Sequence, residues 1–387
     1  MNVVSIERCN DYRDDNVNAS IDKLMNRLGG WKSFIRPGDR VAVKPNLLMY
    51  KKPEDAATTH PSVVKAVISQ VQKAGGVVTI AESPGGPYNH AMLKYVYKMT
   101  GMERVANETG AILNLDLRVE SISRPQVKYI KQLEVIKPLV DADVIINLPK
   151  LKTHTMMVYT GAVKNMFGAV AGTQKADFHL RMPDYDRFAD SLIDIFLSVK
   201  PSINLMDAIE GMEGYGPSTG NPRHLGVLLA SADGFALDAT AAEMIGLPIE
   251  RIPVLKQAKS RGFLGEDIQT LGEPMEDVMV EDFNIPVLNE AERFGRFESG
   301  LSRLVKGWLR PRPVVLKDAC VQCGNCVRNC PPKVISMGKG EIPVIDYNNC
   351  IRCFCCHELC SHKAVIIKRS ALSRMMLSRR IAGLNKN

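Results

Sequence analysis

The sequence predicts an α/β fold, a mostly parallel sheet with flanking helices, followed by a small C-terminal α+β domain. Three observations lead there. Residues 1–290 alternate short apolar runs with amphipathic stretches, which is how strands joined by crossover helices read. The 387 residues, 45% of them apolar, are too many for one small domain and enough for two or three with a large core. Nine of the ten cysteines fall between Cys320 and Cys360.

In the first domain, 1–290, the candidate strands are Arg40–Lys44, Val77–Ala81, Ala142–Leu148, Ile203–Met206 and Gly226–Ala230, each a short apolar run. Candidate helices are Pro61–Ala74, with proline at its first position, Asp184–Val199, and the alanine-rich Gly234–Ile245. Residues 291–312 read as an amphipathic basic linker helix. Phe294, Phe297, Leu301, Leu304 and Trp308 recur at three-and-four spacing, with Arg293, Arg296, Arg303 and Lys306 on other faces. Such a helix either packs on one of the domains or docks on a membrane surface or a partner. Residues 313–369 hold the cysteines, and 370–387 form a basic tail.

The cysteines form two copies of C-x2-C-x2-C-x3-C, beginning at Cys320 and Cys350. This is the spacing of a two-cluster ferredoxin-type domain, in which three thiolates of a run grip one 4Fe-4S cube and the fourth reaches the other. One cluster is therefore expected on Cys320, Cys323, Cys326 and Cys360, the second on Cys330, Cys350, Cys353 and Cys356. Zinc sites pair C-x2-C with a distant C-x2-C, and a disulfide framework needs an oxidising compartment; neither matches tight triplets plus one. Two details depart from the pattern. Ser361 follows the last ligand where proline is usual, and Cys355 sits out of register, as a non-ligand thiol. Cys9 reads as a small apolar residue.

The formal charge of +8 is unevenly spread: residues 291–387 hold 18 Lys and Arg against 6 Asp and Glu. A basic end predicts an acidic redox partner protein or peripheral contact with an anionic membrane. No nucleic-acid-binding signature accompanies it. The N-terminus lacks a signal-peptide pattern and no apolar run has the length of a membrane span, so the expected location is cytoplasmic, with a membrane-peripheral variant.

Ligands of open α/β sheets bind where strands run out into loops, so those segments hold the candidate site. The first strand leads into Lys44 and Asn46, and the third into Lys150, Lys152 and His154, with Lys164 and Asn165 shortly after. Lysines gathered at strand ends predict a pocket for a small anionic ligand, phosphate or carboxylate; the bland alternative is a solvated basic loop. His154, His60 and Glu82 are the acid-base candidates, and His179 is a further candidate ligand group. Asp207 and Asp238 read equally as caps or structural acids. No G-x-G-x-x-G, P-loop or G-x-S-x-G motif occurs, and no motif names a further organic cofactor or metal.

With these loops assembled, the chain resembles domain-of-unknown-function family 362. The resemblance is carried by VKPNLL (Val43–Leu48), TTHPSVVKAVI (Thr58–Ile68), AESPGG, INLPKLKTHTMMVYTGAVKNMFG (Ile146–Gly168), KADFHLR, MDAIEGMEGYGPSTG (Met206–Gly220) and ALDATAAEMIGL (Ala236–Leu247). It implies an α/β domain coupled to iron-sulfur clusters and supplies no substrate. The functional expectation is a redox protein in which the ferredoxin domain carries electrons to or from a small anionic ligand in the α/β domain. The alternatives are a non-enzymatic electron carrier or assembly factor whose α/β domain binds a partner protein, and non-redox chemistry beside structural clusters.

Overall fold

The computed structural model describes residues 2–182, 184–286 and 311–369. The chain divides into two compact units, Met1–Pro286 and Val287–Asn387. The predicted linker residues 291–310 and the tail 370–387 lie outside the described residues. Among the described residues, no helix is long and apolar enough to cross a membrane.

The first unit is built on a ten-stranded sheet. Its strands are β1 (Val3–Arg8), β2 (Arg40–Pro45), β3 (Val77–Ile80), β4 (Ile112–Leu113), β7 (Val144–Leu148), β8 (Lys150–His154), β9 (Val158–Thr160), β10 (Ile203–Glu213), β11 (Asn221–Ser231) and β12 (Gln269–Gly272). A separate hairpin holds β5 (Val119–Ser123) and β6 (Gln132–Ile136). The main path runs β12-β1-β11-β10-β7-β2-β3-β4, with β8 beside β10 and β9 beside β8. The pairs β12–β1, β10–β7, β10–β8, β7–β2, β2–β3 and β3–β4 are parallel, whereas β11 is antiparallel to both neighbours and β9 to β8.

The helices are α1 (Asp14–Arg27), α2 (Pro61–Lys73), α3 (His90–Met99), α4 (Met102–Thr109), α5 (Lys137–Val140), α6 (Ala162–Asn165), α7 (Gln174–Arg181), α8 (Tyr185–Val199), α9 (Gly234–Met244), α10 (Pro253–Ser260) and α11 (Met275–Val278). Alternate strand residues feed two cores. Val41, Val43, Val144, Ile146, Leu205 and Leu228 pack with α1, α2, α3 and α4. Ala42, Ile145, Met206, Val227 and Leu229 pack with α6, α8, α9 and α10. This period-two division explains why the central strands read as continuous apolar runs: both faces are covered. Each Val, Ile, Leu or Phe so buried contributes about 1.5–3 kcal/mol. Helix α2 starts at Pro61 because His60 caps it, its Nδ1 accepting the Ser62 N–H at 3.2 Å, and its Val63, Val64, Val67, Ile68 and Val71 face the core.

The strands and helices predicted within residues 40–245 are all present, with ends shifted by one or two residues except at β10 and β11. These two are each eleven residues long, where the sequence reading had only their apolar halves. Two further strands, β1 and β12, extend the far edge. The largest difference is Lys150–His154, read as a loop and found as a fully buried strand. Its polar residues are tolerated in the interior because Lys150 meets Asp207 of β10, Lys152 meets Asn46 and the Ala57 carbonyl, and His154 accepts backbone N–H groups of the following turn.

In the second unit, β13 (Arg312–Val315) pairs antiparallel with β16 (Val365–Lys368), and β14 (Ile335–Ser336) with β15 (Val344–Ile345). Arg312, placed in the linker by sequence, is thus the first residue of a strand, in register with Lys368. Short helices α12 (Asn325–Arg328) and α13 (Cys355–Glu358) each follow the first two cysteines of a run. Cys330, Ile335, Ile345, Cys356 and Val365 form the core of this unit.

Candidate functional site

The C-terminal ends of β2, β3 and β7 lie side by side, next to the first half of β10, and three polar groups gather along these strand ends. The first is centred on Lys44, wholly buried, whose Nζ reaches Glu82 Oε2 at 2.6 Å. Burial pushes the Lys44 amine down and Glu82 opposes that shift. Gly168 closes over the pair, and its carbonyl accepts the Ser83 N–H at 3.0 Å. A Cβ at Gly168 would overlap the Glu82 carboxylate and the Lys44 ammonium, so only glycine permits this approach.

Lys175 of α7 joins this group and was not anticipated from sequence. Its Nζ donates to Ser83 O at 2.5 Å, Ser83 Oγ at 2.9 Å and Pro84 O at 3.0 Å, all neutral acceptors. Burial pushes its amine down to about 7; Glu82 opposes this, while the nearby Lys44 and Lys164 push it lower. Lys175 thus stands in the field of Glu82 without touching it, with Lys44 and Lys164 in the same electrostatic neighbourhood.

The second group is a ladder of amides across the strand ends. Lys152 Nζ donates to Asn46 Oδ1 at 2.7 Å and to Ala57 O at 2.6 Å. Asn46 Nδ2 donates to Asn165 Oδ1 (2.7 Å), Asn165 Nδ2 to Asn147 Oδ1 (2.8 Å), Asn147 Nδ2 to Asn204 Oδ1 (2.8 Å) and Asn204 Nδ2 to Ser231 O (3.2 Å). Every donor points the same way, so the dipoles align and each bond strengthens the next. Asp238 fixes the helix carrying Lys164 and Asn165, its carboxylate accepting the Ala162 and Val163 N–H groups at 2.6 and 3.0 Å. Burial nonetheless pushes the Asp238 carboxyl up to about 7.

The third group joins Lys150, Asp207, Tyr12 and His60. Lys150 Nζ lies 2.8 Å from both Asp207 Oδ2 and Tyr12 Oη, and Tyr12 Oη donates to Asp207 Oδ1 at 2.9 Å. The His60 N–H donates to Asp207 Oδ2 at 2.9 Å, and the His60 ring stacks on Tyr12 with centroids 3.6 Å apart. Burial lowers the His60 imidazole to about 4, so it is neutral at neutral pH.

Of the candidate residues, Lys44, Glu82, Asn46, Lys152, Asn165 and Lys164 come together. Lys150 is turned into a separate buried ion pair, and His60 belongs with it. His154 lies on β8 with Nδ1 accepting the Met156 and Met157 N–H groups at 3.0 and 3.2 Å, which puts its proton on Nε2. His179 stacks on Phe188 at 4.4 Å and meets Phe167 edge-on, as an aromatic packing residue does. A surface cavity of about 650 Å³, lined by Leu247, Ile249, Leu264 and Met279 among others, shares no residue with these groups.

In the second unit the thiols sort into two sets. Burial pushes the Cys326 thiol up, and its thiol neighbours are Cys323, Cys360 and Cys320. Cys356, raised mainly by burial, has Cys353, Cys350 and Cys330 around it, with Cys326 bridging to the first set. The Ala364 N–H donates to Cys360 Sγ at 3.2 Å. Cys355 hydrogen-bonds to Cys353, which keeps the Cys355 proton on and favours the Cys353 thiolate. Two sets of four thiols, each drawing its fourth member from the other run, match the ligand number of two 4Fe-4S cubes.

Residues 41–243 match the model of a domain of unknown function, DUF362, and residues 312–361 that of a 4Fe-4S dicluster domain. The thylakoid-associated protein sll1697 of Synechocystis sp. is 34% identical over 298 residues, covering 73% of this chain and 87% of that protein. Pyruvate synthase subunit PorD of Methanothermobacter marburgensis is 35% identical over 74 residues, 19% of this chain and 86% of that subunit. Among solved structures, the lactate racemase apoprotein from Thermoanaerobacterium thermosaccharolyticum superposes with a TM-score of 0.41 at 13% identity. That match covers 65% of this chain and 58% of the racemase. A Thermotoga maritima protein gives 0.39 at 14%, covering 61% of this chain and 59% of that one.

Proposed function

Because the chain belongs to the DUF362 family and ends in a 4Fe-4S dicluster ferredoxin domain, we propose that its two clusters carry electrons to or from a small anionic ligand at the ends of β2 and β3. One cluster is held by Cys320, Cys323, Cys326 and Cys360, the other by Cys330, Cys350, Cys353 and Cys356. The clusters supply single electrons. Lys44, Lys164 and Lys175 hold the ligand, and the amide ladder of Asn46, Asn165 and Lys152 orients it. Glu82, adjacent to Lys44 and within the field of Lys175, moves protons.

The observation that carries this reading is Lys175. A half-buried ammonium held only by neutral oxygens, beside a second lysine whose carboxylate is already engaged, leaves excess positive charge that an anion neutralises. A bound anion favours the charged amine. Affinity is therefore full below Lys175's value of about 7 and falls as pH rises through it, by about tenfold per pH unit beyond. Calorimetric titration with inorganic sulfate, a dianion throughout about pH 6 to about pH 8.5, reads this as proton uptake on binding, and Lys175→Met should abolish both binding and uptake. Affinity that is flat with pH, or intact in Lys175→Met, contradicts the site.

A second reading draws on the basic C-terminal quarter, 18 Lys and Arg against 6 Asp and Glu, and on a relative described as thylakoid-associated. In it the protein is an electron carrier whose α/β unit binds a partner protein, with its basic end in peripheral contact with a membrane.

A further inference from the structure

The two cysteine runs fold as copies of one another but are covered differently. Left-handed backbone recurs at matched positions: Gln322 (φ 59°) with Arg352 (58°), Gly324 (72°) with Phe354 (61°), and Lys333 (57°) with Lys363 (52°). At the second of these the first run has no side chain. The second run carries a phenylalanine there, in a conformation unfavourable for any residue with a Cβ, and buries it to 3% exposure against Ile367. The consequence is asymmetric access. Cys323 is exposed and Val321 is 56% exposed, whereas the matching Cys353 and Ile351 are half-buried; Cys326 is half-buried and Cys356 buried.

Cations flank the open loop. The Arg328 guanidinium donates to the Cys323 carbonyl at 2.8 Å and to Asn325 Oδ1 at 2.6 Å. Exposed Lys317 opens the turn whose carbonyl accepts the Cys320 N–H at 3.3 Å, and exposed Asp318 is the one acid on that turn. Leu316, 39% exposed, adds to the apolar spot.

We propose that this Leu316–Arg328 face is the port through which the clusters exchange electrons with an acidic single-electron carrier protein. The apolar spot of Leu316 and Val321 suits a protein surface, and the cations steer one of opposite charge. One electron leaves the reduced carrier and one is gained by the cluster behind Cys323; no bond forms or breaks. Phe354 insulates the second loop from the same encounter. The port stands on the cysteine domain alone, so it holds or fails independently of any ligand in the α/β unit.

The test uses the full-length, iron-loaded protein and an acidic plant-type ferredoxin as the probe, with Kd measured by calorimetry at low salt and cluster reduction followed by stopped flow. Lys317→Glu and Val321→Glu should each weaken binding about tenfold, an effect that fades with added salt, while Lys363→Glu on the other run leaves Kd unchanged. Gly324→Phe should slow reduction by the carrier and leave reduction by a small viologen and the iron content unchanged. A Cβ there meets only the tips of Arg328 and Met337, at 3.0 and 3.4 Å. Should Gly324→Phe lose iron, the two charge variants still decide. The port is overturned if Lys363→Glu weakens binding as much as Lys317→Glu, or if neither Lys317→Glu nor Val321→Glu changes Kd.

Discussion

Replacing Cys360 with alanine is expected to remove half of the protein's iron and sulfide, and to remove the same half as replacing Cys320. Cys360 ends the second run in sequence, yet Cys326 has it as a neighbour together with Cys323 and Cys320. The decisive comparison is between double variants. Cys320→Ala with Cys360→Ala should cost no more iron than either change alone, because both empty one cluster. Cys350→Ala with Cys360→Ala should empty both. Cys355→Ala should leave both clusters in place, since Cys355 is a protonated donor to Cys353 and not a member of either set. Iron and sulfide analysis after anaerobic purification checks all five variants. If Cys320→Ala/Cys360→Ala loses all its iron, the exchange of the fourth ligand between runs is wrong.

Lys150→Met is expected to destabilise the α/β unit by about 3–5 kcal/mol, the cost of leaving a buried charge without its counter-ion. Asp207 is wholly buried, and Lys150 is its sole cationic partner among the described ion pairs. The loss should appear as a lower urea midpoint for that unit with an unchanged slope. Adding Asp207→Leu should recover much of it, because two apolar side chains remove the uncompensated charge. Sulfate binding should survive in whatever fraction stays folded, since Lys150 points to Asp207 and Tyr12 and not to Lys175. Unchanged stability with lost sulfate binding would move Lys150 into the ligand site.

These two expectations differ in how much of them the sequence carries. The cysteine sets were legible because cluster ligands lie close together along the chain and their spacing is set by the cube. The central strands were legible because burial on both faces writes a continuous apolar run, as in β7. Lys150–His154 was not, because a strand of alternating lysines reads as solvent-exposed until its partners are known. Asp207 lies 57 residues on, and Asn46 is 106 residues before Lys152. Lys175 was hidden for the same reason: its three oxygens belong to Ser83 and Pro84, more than 90 residues earlier. The strands most easily missed, β1 and β12, lie at the far edge of the sheet, where register with neighbours rather than a long apolar run defines them. Long-range pairing of buried charges is what the sequence cannot write locally, and it is also what builds the candidate site.

The central claim, that electrons pass between the clusters and an anion held by Lys44, Lys164 and Lys175, is tested most directly by rapid mixing under anaerobic conditions. The protein reduced with dithionite, freed of excess reductant, is mixed with each small carboxylate or phosphate compound that co-purifies with it, and the visible absorbance of the clusters is followed. The same compounds are also mixed with the oxidised protein. The expected result is a change of cluster oxidation state with at least one such compound, reoxidation of reduced clusters or reduction of oxidised ones, slowed at least tenfold in Lys175→Met at full iron content. Clusters that change in neither direction with every compound, or that change equally fast in Lys175→Met, would contradict the account.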